Sequence, residues 1–135
     1  MTTVQRVAQI FGIIFILVAL LGFLASGMSM EADPVRAPHL LGLFAVNALH
    51  NVVHLLLGIW ALVASRTFAG ARSYARIAGV LYLVLAVVGF ISPNGFGLVP
   101  LGGNDIWLHA VLGLVLAAVG FTARELGPPV SSAAA

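Results

Sequence analysis

The chain has 135 residues, of which 61% are hydrophobic and 7% charged, and its mean hydropathy is +1.14. A soluble domain carries roughly a quarter charged residues, so a chain this apolar cannot cover its own surface and needs lipid as part of its solvent. Its formal charge of +2 comes from six arginines and no lysine, never in a run, which excludes the clustered basic face of a nucleic-acid binder; the absence of cysteine excludes disulfides, thiolate metal sites and cysteine nucleophiles.

The expected fold class is all-α, an integral membrane four-helix bundle. Four continuously apolar segments support it, at about residues 7–28, 39–64, 74–91 and 106–123. A helical span takes about 20 residues and satisfies its own backbone in lipid. A barrel would instead require alternation of apolar and polar residues. In the first segment, Ala25-Ser26-Gly27 has a loose likeness to a signal-peptide cleavage site. The apolar run is too long for a signal and has a partner later in the chain, so it reads as a retained helix.

The second segment carries Asn47, His50, Asn51 and His54 at i, i+3, i+4 and i+7, one stripe of a helix. If that helix starts near His39, His54 lies roughly 22 Å along it, at the bilayer middle. A polar stripe at that depth must look inward. His39 itself reads as an interfacial residue with no specific task. Arg66 and Arg72 stand between the second and third segments, and Arg76 stands at the start of the third. Before the fourth, Pro100-Leu101-Gly102-Gly103-Asn104 should not stay helical. The fourth segment is therefore expected to start deep, after a non-helical dip capped by Asn104 or Asp105.

Arginine placement orients the chain. Arg6, Arg66, Arg72, Arg76 and Arg124 fall on one side of a four-span protein, and Arg36 with Glu31, Asp33 and Asp105 on the other. Both termini are then expected in the cytoplasm, with the protein in the cell membrane. Residues 1–126 form one transmembrane domain, and residues 127–135 read as a flexible C-terminal tail.

The chain also repeats. Ala8-Gln9-Ile10-Phe11-Gly12 matches Ala75-Arg76-Ile77-Ala78-Gly79, and the match continues through Gly22 with Gly89. Gly42-Leu43 matches Gly97-Leu98, His54 matches His109, and Leu57-Gly58 matches Leu112-Gly113. Two tandem two-helix repeats in parallel orientation are expected, related by an axis along the membrane normal. Ala8, Gly12, Gly22, Gly58, Ala75, Gly79, Gly89 and Gly113 read as helix-packing seams, where small residues let backbones approach in lipid.

In that alignment His50 falls on Asp105, so the halves offer His50-x3-His54 and Asp105-x3-His109. Face to face, these four residues would suit a divalent ion such as zinc, with Asn47, Asn51 and Asn104 orienting them from behind. Each also has a plainer role: the asparagines as interhelical hydrogen bonders, Asp105 as a helix cap, the histidines as a hydrogen-bonded structural network.

The run Leu41-Gly42-Leu43-Phe44-Ala45-Val46-Asn47-Ala48-Leu49-His50-Asn51-Val52-Val53-His54, with Gly58, Asn104-Asp105 and Trp107-Leu108-His109, resembles a bacterial family of small membrane proteins, domain-of-unknown-function family 4383. The resemblance covers about residues 8–121 and implies a four-span membrane protein, with no activity or cofactor to carry over.

Three functional readings stay open. One is a structural or accessory membrane protein, alone with the bilayer, as a homo-oligomer or in a larger membrane complex. The second is a metal- or proton-handling site inside the bundle. In the third, His54 and His109 are the axial ligands of a haem in an electron carrier. Enzymatic chemistry is disfavoured, since no serine or cysteine nucleophile adjoins the histidines and no acidic pair is present.

Overall fold

The computed structural model describes residues 1–125, so the tail expected at 127–135 lies outside the described residues. Four α-helices make up most of it: α1 (Thr3–Ser26), α2 (Ala48–Ala64), α3 (Phe68–Ile91) and α4 (Asn104–Thr122). Two short strands, β1 (His39–Leu40) and β2 (Phe44–Ala45), lie between α1 and α2, and a 3-10 turn, Gly95–Gly97, lies between α3 and α4.

Three of the four helix starts follow side-chain caps, which hydropathy does not register. Thr2 and Gln5 form a capping box, with the Thr2 N–H donating to Gln5 Oε1 at 2.9 Å, so α1 begins at Thr3 and not near residue 7. It ends at Ser26, ahead of Gly27, whose φ of 52° breaks the helix. Thr67 accepts the Gly70 N–H at 3.0 Å and starts α3 at Phe68 and not near residue 74, so Arg72 stands in the helix with Arg76. Arg76 Nε donates to the Gly120 carbonyl at 2.9 Å, and its guanidinium lies 5.0 Å over the Phe121 ring.

The largest departure concerns α2, expected from His39 but starting at Ala48. Residues 39–45 form a small antiparallel hairpin in which His39 pairs with Ala45 and Leu40 with Phe44. Its turn places Leu41 at φ 54° and Gly42 at φ 68°, and the Leu43 N–H donates to the Leu40 carbonyl at 3.1 Å. Two consecutive positive φ values are incompatible with a helix. The same left-handed pair recurs at Phe96 (φ 58°) and Gly97 (φ 84°) in the α3–α4 connection. A non-glycine residue in that region costs of order 1–3 kcal/mol, held here by its surroundings.

α1 packs most extensively against α2, and α3 against α4. The first pair is antiparallel: Gln5 Nε2 donates to the Ser65 carbonyl at 3.1 Å at one end, and Asn51 Nδ2 to Ser26 Oγ at 2.9 Å at the other. Glycine makes the seams possible. A Cβ on Gly58 would lie 3.0 Å from the Gly12 carbonyl oxygen, and one on Gly113 would lie 3.0 Å from that of Gly79. The pairs meet through α1 with α3 and α2 with α3, whereas α1 and α4 scarcely touch. Ala8, Ala75, Phe15, Tyr74, Tyr82 and Leu116 fill the core.

Ile10, Leu17 and Leu24 of α1 and Val80, Val84 and Val87 of α3 face outward, the reverse of a soluble bundle. Among the described residues, α1, α3 and α4 are long and apolar enough to cross a membrane. The 17 residues of α2 extend about 26 Å. The chain is a multi-pass membrane protein built as a four-helix bundle.

Candidate functional site

The site grows from the start of α2. Asn47 caps that helix, its Oδ1 accepting the His50 N–H at 2.9 Å. His50 and His54 then follow one helical turn apart, with ring centroids 4.5 Å from each other. α4 brings in His109, whose ring lies 6.2 Å from that of His50. Aromatic rings wall the cluster: Phe15 stacks on His54 at 5.7 Å, Tyr82 sits against His109 at 5.2 Å, and Phe15 and Tyr82 stack on each other at 5.5 Å. Because His54 lies beside Phe15, halfway along α1, the cluster is at mid-span even though α2 begins nine residues later than expected from His39.

The ligand atoms of His50, His54 and His109 all lie within 4.8 Å of one another. Three atoms no farther apart than 4.8 Å share a point within about 2.8 Å of each; zinc–imidazole bonds are about 2.0–2.1 Å, so a closure of about 0.7 Å per side chain completes a three-nitrogen site. His50 and His109 are buried, and His54 is partly exposed to the cavities it lines.

The fourth expected ligand stands apart. Asp105 is the second residue of α4, one turn before His109, and the group of mutually close ligand atoms leaves it out. It is not the helix cap either: Gly103, at φ 67°, occupies that position without a side-chain bond. Its carboxylate is buried and lines the same cavity as the histidines. The α3–α4 connection does dip back, for Leu101 lies against Gly89 within α3.

The asparagines expected behind the ligands do other work. Asn47 Nδ2 donates to the Leu98 carbonyl at 2.9 Å, and Asn104 Nδ2 to the Leu43 carbonyl at 3.0 Å. These two bonds tie each connection to the opposite half. Asn51 turns to Ser26, into the space that Gly22 leaves by having no side chain. Their hydrogen bonds reach no imidazole. His39 is exposed in β1, away from the cluster.

Nδ1 of His50, His54 and His109, Oδ2 of Asp105 and the Tyr82 hydroxyl are all buried without a hydrogen-bond partner. Leaving such an atom unsatisfied costs about 1–3 kcal/mol, so a group of them is where a water or an ion would gain most. Two cavities flank the histidines, one of about 220 Å³ and one of about 100 Å³, and all three imidazoles belong to both walls. The first is bounded by α1, α4 and the 39–46 hairpin, the second by α3 and residues 99–101. A separate cleft of about 540 Å³ at the other end of the bundle, beside Arg6 and Arg124, contains no such group.

Phe15, Tyr82 and Ser26 were not singled out by sequence reasoning. A signal for the first two existed: they occupy equivalent positions in the matching runs that begin at Ala8 and Ala75. Ser26 had none, as its role depends on the crossing of α1 and α2.

Residues 5–122 match the family model described as domain of unknown function DUF4383, and the chain belongs to that family. No curated protein and no solved structure matches it.

Proposed function

We propose that this membrane protein binds a divalent first-row metal ion, with zinc the simplest fit, on His50, His54 and His109. One observation carries the reading: three imidazoles, those of His50 and His109 buried and that of His54 half-buried, converge to within 4.8 Å while the Nδ1 of each lacks a partner. A purely structural cluster would close by mutual hydrogen bonds, and the unpartnered nitrogens weigh against it. Imidazole nitrogen suits zinc and its neighbours, and three protein ligands leave a coordination position open. Asp105 lines the same 220 Å³ cavity as the three imidazoles, from where its carboxylate can reach the ion directly or through water.

A haem fits this space less well. Its axial ligands must face each other across a macrocycle, whereas His50 stands 4.5 Å from His54, and Phe15 and Tyr82 are stacked between the helix pairs.

The same reading takes the chain as two parallel tandem repeats. Supporting it are the paired glycine seams, the recurring left-handed turns at Leu41-Gly42 and Phe96-Gly97, and the matched positions of Phe15 beside His54 and Tyr82 beside His109. Both termini are taken as cytoplasmic because Arg6, Arg66 and Arg124 gather at one end of the bundle.

Elemental analysis of protein purified without chelators tests the metal. Near-stoichiometric metal in the wild type, lost in His54→Ala and in His109→Ala, is the expected result. A wild type free of metal that also fails to take up zinc or cobalt would refute it and leave a proton relay or a structural cluster.

A further inference from the structure

The larger cavity beside the histidines has the shape and charge requirement of a binding site for one kind of lipid-phase molecule. It lies where α1 and α4 scarcely touch, so its outer wall is the seam between two membrane-facing helices. Ile14 on that wall is 48% exposed, and Leu41 in the hairpin above it is 78% exposed. Apart from His50, His54, Asp105 and His109, every residue lining the cavity is apolar. A molecule reaching the site along this route comes through the hydrocarbon, not from water.

Charge then selects its head. Three neutral imidazoles around a divalent ion leave two positive charges at mid-span, and Asp105 cancels one. A residual charge at that depth is costly unless it is paired. A single carboxylate in the open coordination position brings the sum to zero. The cavity, at about 220 Å³, is too small for two aliphatic chains and holds the head end of one, the rest of which would lie along the seam between α1 and α4 in the bilayer; a phospholipid would keep its headgroup at the interface.

We infer that the cavity between α1 and α4 binds a long-chain fatty acid, its chain against Ile14, Phe15 and Leu108 and its carboxylate on the metal held by the three histidines. The inference rests on the metal reading above. Access is then from the bilayer, and Asp105 is the charge partner of the site.

The test uses full-length protein loaded with cobalt(II), whose visible bands report the coordination of the ion. Hexadecanoic acid is titrated into the detergent-solubilised protein, with methyl hexadecanoate in parallel. A saturable spectral change with the acid and none with the ester is expected. Ile14→Trp, a substitution at a membrane-facing position, should weaken the response at least tenfold while cobalt content stays unchanged, and Leu108→Trp should do the same. Cobalt uptake with no response to the acid would overturn the fatty-acid site and leave the metal reading standing. An equal response to the ester, or full response in both tryptophan variants, would also overturn it. Failure to take up cobalt would overturn the metal reading and this inference together.

Discussion

Replacing Gly22 by alanine probes how closely α1 and α2 are packed next to the site. A Cβ at this position would run into the side-chain amide of Asn51, which is fully buried and donates to Ser26 at 2.9 Å. Forcing a methyl group into a filled seam costs about 1–3 kcal/mol. Displacing Asn51 also breaks an interhelical hydrogen bond, worth about 0.6 kcal/mol on average and up to about 1.7 kcal/mol. Alanine's better helix propensity returns up to about 1 kcal/mol. The net expectation is a loss of about 1–4 kcal/mol. Ser26→Ala, which removes the bond without adding bulk, should cost only about 0.6–1.7 kcal/mol. Because both changes break the same bond, the double variant should be less destabilised than the sum of the singles. Titration with sodium dodecyl sulfate in mixed micelles, followed by circular dichroism, measures all three. If Gly22→Ala lay within about 0.5 kcal/mol of wild type, the two helices would not be in the close contact described, and the stacking of Phe15 on His54 would lose its support.

Tyr82 offers a contrast between its ring and its hydroxyl. Since the hydroxyl has no partner, Tyr82→Phe should leave stability unchanged or slightly raised, whereas Tyr82→Ala should cost about 3–5 kcal/mol in the same titration. Asn47→Ala removes both the cap of α2 and the bond to Leu98 and should cost about 1–3 kcal/mol; Asn104→Ala, at an exposed position, should cost less than about 1 kcal/mol. The cysteine-free chain makes single-cysteine labelling clean. Thr2→Cys should be protected from an impermeant thiol reagent in intact cells, and Val35→Cys should be labelled.

The bundle could be read from sequence because long uninterrupted apolar runs admit one solution in lipid. The boundaries that mattered chemically could not. Leu40-Leu41-Gly42-Leu43-Phe44 is as apolar as any helix, and only the left-handed backbone at Leu41 and Gly42 makes it a hairpin. Thr2 with Gln5, and Thr67 ahead of Phe68, were visible as capping signals, but apolar runs drew the starts inward. His50 and His54 share a face by spacing alone, and the match of His54 with His109 pointed to the third imidazole. What spacing could not convey was height along the bundle: Asp105, one turn from His109, lies outside the close group, and each asparagine finds a nearer partner across the bundle.

X-ray absorption at the zinc edge of the zinc-loaded wild type tests the central claim most directly. The account expects a first shell dominated by three imidazole nitrogens at about 2.0–2.1 Å, with the multiple-scattering features of imidazole, and the loss of this bound-zinc signal in His109→Ala. A shell of water and detergent oxygens, unchanged by that substitution, would contradict it.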